Sequence, residues 1–140
     1  MDASLDNLVK NLRNDNEFDS KYFLNLQNHF LNQDIKLLLR KGVYPYEYMN
    51  SVNKFEEICL PFQEQFYSTL TQKHISKEDY KHAIQVWKKF QVKNLGEYHD
   101  LYLTCDVLQL ADVFEHFHSS ILILIPHITF QLHNWRGMLC

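Results

Sequence analysis

"YHDLYLTCDVLQLADVFEHF", residues 98–117, has the 3.6-residue apolar periodicity of one long helix. Leu101, Cys105, Leu108, Leu110, Ala111, Phe114 and Phe117 spread over more than half of its circumference, which predicts a helix in the middle of the fold. On the same helix Tyr102 and Asp106 stand four residues apart, so they project from one face with their Cβ atoms about 6 Å apart. A carboxylate there can hold a divalent cation by oxygen ligation, and a phenol one turn back can hydrogen-bond the water that the metal activates. The same spacing arises by chance on many helices, so it gains force only from the sequence around it.

Upstream, Ser76 and Asp79 read as a capping box, and Tyr80, Ala83, Ile84, Trp87 and Phe90 form one helical stripe. "VKNLG" is the connector between this helix and the one at 98–117. "GVYPYEYMNS" carries Pro45 between two tyrosines, the pattern of an extended loop laid on a surface. Phe55, Ile58 and Leu60 lead into Pro61, and Phe62, Phe66, Tyr67 and Leu70 fit a short helix or a packed aromatic loop. Further helices are expected from Ser4 (with Leu5, Leu8, Val9 and Leu12), from about Ser20 to Phe30, and from Asn32. The last should turn Ile35, Leu38 and Leu39 inward and stop at Gly42. With no repeat, low-complexity tract or alternating strand pattern, the chain is mainly α.

Composition sets the outer bounds. A chain of 140 residues, 46% hydrophobic and 14% aromatic, suffices for the core of one globular domain. A formal charge of −3 provides no global positive field, so any contact with nucleic acid must be local or belong to a larger protein. Cys59, Cys105 and Cys140 form no Cys-x-x-Cys pair, which suits reduced thiols in an intracellular compartment, nuclear or cytoplasmic. No secretory signal opens the chain, and the apolar run 121–125 falls short of the roughly 20 residues a bilayer requires, so no membrane crossing is expected. His116 and His118 point to different helix faces and make poor co-ligands. His99 with Asp100 reads as a surface pair, and Cys105 as an inert thiol facing the core. There is no Gly-x-Ser-x-Gly, Gly-rich phosphate loop or zinc spacing.

Four blocks occur in the order "KGVYPYEYMNS", "LPFQEQFYSTL", "HISKEDYKHAIQVWKKF" and "LGEYHDLYLTCDVLQLADVFEHF". Together they resemble the protein-primed family B DNA polymerases of Polinton or Maverick transposons and their viral and organellar relatives. The last block resembles the third exonuclease motif of those enzymes, Tyr-x-x-x-Asp within an apolar helix. The likeness runs from about residue 1 to 117. It implies a ribonuclease H-like α/β domain, with a sheet and flanking helices, that proofreads in the 3′-5′ direction with two magnesium or manganese ions. Carried over, Asp106 is a metal-ligating carboxylate and Tyr102 orients the attacking water. Lys41 matches a lysine near the scissile phosphate, where its charge stabilises developing negative charge. Tyr46 matches an aromatic that steadies that lysine or the single-stranded primer end, a DNA-binding role. From the residues alone, Lys41 is equally a cation complementing a helix C-terminus, and Tyr46 a loop aromatic packed on the core. The implied partners are template DNA, deoxynucleotides and a terminal-protein primer.

The pattern is incomplete. The first exonuclease motif, Asp-x-Glu on a buried strand, is spelled only at Asp15-Asn16-Glu17, within the polar "RNDNEFDS", which reads as a solvated loop. The palm motifs that carry nucleotidyl transfer are absent. One monodentate carboxylate leaves a magnesium ion hydrated and mobile, so the chain is expected to be inactive by itself, with weak DNA affinity. Residues 1–118 are thus expected to be the later part of an exonuclease domain lacking most of its sheet, and 119–140 a non-homologous tail. Codons that spell Pro126 to Met138 can also spell SYNISAPQLAWNA when read from the third base of each codon, which restores the polymerase family's Ala-Pro and Leu-Ala-Trp elements and points to a frameshift. Such a tail exposes 121–125 as an aggregation-prone segment, and an exonuclease piece without its sheet leaves an apolar face of the 98–117 helix uncovered. The rival readings are a small helical protein-interaction module without catalysis, and a nuclease that borrows carboxylates from a second copy.

Overall fold

A computed structural model describes Asn7 and residues 22–30 and 35–138, with side chains to residue 126. The expected helix from Ser4, the loop at Asp15-Asn16-Glu17 and the starts of the helices at Ser20 and Asn32 lie outside the described residues. Three α-helices organise the rest: α1 (Leu24–His29), α2 (Lys77–Lys89) and α3 (Leu95–Met138). Between α1 and α2 the chain makes three 3₁₀ turns, at Ile35–Leu38, Val52–Glu56 and Gln63–Phe66. The chain is mainly α, and among the described residues the only β pairing is an isolated bridge between Ser68 and Lys73.

α2 forms as its sequence dictates. Ser76 Oγ accepts the Asp79 amide at 3.0 Å, and Glu78 and Asp79 complement the positive end of the helix. It ends with Val92 N donating to Trp87 O and Gln91 N to Lys88 O, a Schellman closure with Gln91 in the left-handed region at φ 52°. Ala83 faces the core as expected, but the other fully buried residue of α2 is Val86, outside the stripe read from the sequence.

α3 starts three residues before the stretch that predicted it, because the connector is itself a cap. Asn94 Oδ1 accepts the Glu97 amide at 2.8 Å, Glu97 Oε2 accepts the Lys93 amide at 2.9 Å, and Leu95 N donates to Glu57 O at 2.8 Å. The helix then continues past residue 117 to Met138, through Pro126, without a break. Over 95–126 it is long and apolar enough to cross a bilayer by length and mean hydropathy (1.2) alone, a property that the run 121–125 does not reveal by itself.

The core lies on one side of α3. Phe23 and Leu26 of the α1 segment, Ile35 and Leu38 of the first 3₁₀ turn, Leu39 just after it, Val43, Phe66, and Ala83 and Val86 of α2 close over Tyr98 and Cys105. Ile35, Leu38 and Leu39 point inward as expected, although the backbone there is a 3₁₀ turn over Ile35–Leu38 followed by a bend at Leu39. The expectation that α3 is surrounded is corrected: Leu110, Phe114 and Phe117 are 56–67% exposed. Periodicity identifies apolar faces but does not say how many of them the rest of the chain can cover. The aromatic run before α2 is likewise mostly outside, with Ile58, Phe62 and Leu70 exposed and only Phe66 fully buried.

Two polar side chains on the core face of α3 fasten the earlier chain to it. Asp112, 2% exposed, accepts hydrogen bonds from Asn25 N and Asn25 Nδ2, both at 2.9 Å, and from Leu26 N at 3.2 Å. It therefore caps α1 from 87 residues away. Gln109, one turn earlier and 1% exposed, donates from Nε2 to Leu38 O at the end of the first 3₁₀ turn.

Candidate functional site

Tyr98, Tyr102 and Asp106 follow one another at four-residue intervals along α3 and form a ladder on one face. The loop 41–48 lies across it. Tyr98 donates to Val43 O at 2.7 Å, which fixes the loop's near end, and Pro45 is fully buried beneath it. Tyr44 stacks on Tyr102 with ring centroids 4.8 Å apart, and its hydroxyl bonds His99 Nδ1 at 2.6 Å. His99 also packs edge-on against Phe55 at 5.1 Å, so the expected surface pair of His99 with Asp100 is corrected. The cause lies in a loop 55 residues away in sequence.

The structure brings the four sequence-selected residues into one cluster. Tyr102 is 7% exposed, and its hydroxyl meets both Tyr46 Oη and Asp106. An ionised carboxylate only accepts, so the Tyr102 proton goes to Asp106 and Tyr46 donates to the Tyr102 oxygen. Tyr46 is not packed on the core, as a simple loop aromatic would be; it is 62% exposed and caps Tyr102 from the solvent side. Lys41 is exposed, and its positive charge acts on Asp106. The residue next to it, Gly42, is required by the contact: a Cβ there would lie 2.6 Å from Tyr102 Cδ2.

Burial shifts the acid–base properties of this cluster. Desolvation raises the Asp106 carboxyl above the usual carboxylate range, against the opposing effects of the Tyr102 hydrogen bond and the Lys41 charge. The Tyr102 phenol is pushed far up, first by burial, then by its bond with Tyr46 and the negative charge of Asp106. Burial, with Asp106 nearby, pushes the Cys105 thiol up to about 12, consistent with its expected inertness. A raised carboxyl holds its proton more tightly in the folded chain than in the unfolded one. It therefore supports the fold below the ordinary carboxylate range and withdraws that support as pH rises through its folded value. Asp106→Asn should stabilise the protein at neutral pH by at most about 1 kcal/mol, since the half-buried side chain keeps solvent on one side. The gain should vanish below about pH 3, where aspartate is protonated in both the folded and the unfolded chain, read from denaturant midpoints at the two pH values; equal midpoint shifts at both would show that the carboxyl is not perturbed.

Beside the cluster runs an open groove of about 730 Å3. Lys41, Tyr44, Tyr46, Ser68, Lys73 and His74 are among the residues that line it. Arg40 at its end is tied to Asp79 at 2.5 Å. The groove thus combines lysine charge with two tyrosine rings, and Lys41 links it to the Tyr102–Asp106 pair. None of Ser68, Lys73 and His74 stands out in the sequence, because only the loop carrying the Ser68–Lys73 bridge brings them to the groove that Lys41 lines.

Magnesium and manganese do not fit these residues as a complete site. Asp106 is a single carboxylate whose charged form burial disfavours, and among the described residues no three His, Cys, Asp or Glu side chains come together to hold a metal. His116 instead packs edge-on against Tyr22 at 4.7 Å. No family model, curated protein or solved structure matches this chain.

Proposed function

We propose that this chain is the later part of the 3′-5′ exonuclease domain of a protein-primed family B DNA polymerase, of the Polinton or Maverick kind, and is catalytically inactive by itself. The observation that carries the reading is convergence. Lys41, Tyr46, Tyr102 and Asp106 are the residues that the motif resemblance selects, and they lie together although 56 residues separate the two tyrosines. In this reading Lys41 and Tyr46 address the phosphate and a base of a single-stranded primer end lying in the groove, since lysine charge beside aromatic faces is the chemistry that tracks a single strand. Asp106 supplies one carboxylate of a metal site whose other acids belong to the ribonuclease H-like sheet of the parent enzyme. Tyr102 holds Asp106 in place by its hydrogen bond. The parent would act in DNA replication inside the cell, with deoxynucleotides, a DNA template and a terminal-protein primer.

The test is the genomic DNA on either side of the reading frame. The expected result is an Asp-x-Glu strand encoded upstream, and palm motifs downstream in the frame shifted by one base within the codons for Pro126 to Met138. Flanks that encode no polymerase parts in any frame would end the proposal. In solution the purified chain should show no manganese-dependent exonuclease activity; activity abolished by Asp106→Ala would instead favour a nuclease completed by a second copy. The rival reading, a helical interaction module without catalysis, is favoured by a different observation, the uncovered apolar face of α3.

A further inference from the structure

The uncovered face of α3 has a spacing of its own. Val107, Phe114 and Ile121 recur every seven residues, and Leu103, Leu110, Phe117 and Leu124 do so in the other register, so the steps along the helix run 4, 3, 4, 3, 4, 3. Each of these side chains is 38–67% exposed. On the opposite side Tyr98, Cys105, Gln109 and Asp112 are buried in the domain's own core, so the helix has two faces and, among the described residues, only one is filled. A strict 3.5-residue repeat is the narrow seam that another helix fills with knobs into holes. In a parallel arrangement, β-branched Val107 and Ile121 in the first register with Leu103, Leu110 and Leu124 in the second is the assortment that favours two strands over more, with Phe114 and Phe117 filling the remaining positions.

We propose that α3 binds a second copy of this chain, as a parallel two-helix seam from Leu103 to Leu124. Burial of these side chains would remove about 600 Å2 from each copy, about 1,200 Å2 in all, which reaches the lower bound for a stable interface. The flanking positions oppose nothing: Thr104, Ala111 and His118 on one side and Asp106, Val113 and Ser120 on the other bring no like-charged pair face to face. The seam stays in phase from 117 to 121 and 124, so the domain and the helix beyond it present one continuous surface. In a parallel pair the two cores point away from each other, and both grooves at Lys41 remain open. The inference does not depend on a polymerase origin, and neither reading fails with the other.

Sedimentation of the full chain at micromolar concentration should give twice the 16.9 kDa mass of one copy. Leu110→Glu should weaken association at least about a hundredfold, by placing a charge in the seam, with helicity by circular dichroism unchanged. Leu122→Glu, an exposed position off the seam, should leave the dimer intact. In a Cys59→Ser, Cys140→Ser background, Leu103→Cys should cross-link on oxidation, because only a parallel pair brings the two ends of the seam together; this readout does not depend on the charged variant folding. The proposal is overturned by a monomer at every concentration, by a dimer indifferent to Leu110→Glu, by a dimer that Leu103→Cys fails to cross-link, or by a monomer that instead sediments with neutral phosphatidylcholine vesicles.

Discussion

Asp112→Ala should cost this protein about 3 kcal/mol or more, the largest loss expected of any single side-chain truncation. The carboxylate is buried and takes three hydrogen bonds, two of them from backbone amides in the first turn of α1. Truncation leaves those amides without their protein partner, at roughly 1–3 kcal/mol for each group left unsatisfied. It also frees a helix of six residues, too short to persist without its contacts. Phe23 and Leu26, which that helix presents to the core, would lose their anchorage with it. Asp112→Asn keeps the volume and one acceptor oxygen and should recover about half of the loss. Denaturant titration of the three proteins decides the matter: a cost for Asp112→Ala below about 0.5 kcal/mol would mean that the α1 segment is not held by this residue.

Gly42→Ala should destabilise the fold by about 2 kcal/mol, although alanine is otherwise the milder residue for a chain to order. The added methyl would lie 2.6 Å from Tyr102 Cδ2 and 2.7 Å from Cε2, and the ring has little room to retreat. Tyr44 stacks on one side of it, and Tyr46 and Asp106 hold its hydroxyl. The same substitution should break the Tyr46–Tyr102 contact and raise the exposure of Tyr102, visible in its near-ultraviolet circular dichroism. A double-mutant cycle with Tyr102→Leu isolates the cause, because a smaller, movable side chain should absorb most of the clash. If Gly42→Ala costs the same in both backgrounds, the close approach of Gly42 to the ring is not the reason for the glycine.

These two expectations differ in how far the sequence announces them. The Tyr102 side of the site is legible because helical spacing is a local property: residues four apart share a face wherever the helix sits, so the pairing of Tyr102 with Asp106 follows from their spacing alone. The arrival of Lys41 and Tyr46 at that face requires a motif resemblance, since no periodicity connects a loop at 41–48 with a helix at 95–138. Asp112 leaves no such signal. It lies six residues beyond Asp106, and its partners at Asn25 and Leu26 are 87 and 86 residues away. His99 is misread for the same reason, because its neighbour in sequence is Asp100 but its bond is to Tyr44.

The sequence alone determined that this protein is mainly helical, where α2 and the heart of α3 lie, which short residues cap α2, and that Tyr102 and Asp106 stand side by side. Those are consequences of hydrogen-bond geometry within a few residues and hold in any surroundings. Only the tertiary structure decided which of the two apolar faces of α3 is buried, that the first core layer stands on 3₁₀ turns, and that buried Gln109 and Asp112 fasten the early chain to that helix. Hydrophobicity measures how strongly a side chain leaves water and carries no information about which distant segment will cover it, so the choice of face waits for the packing.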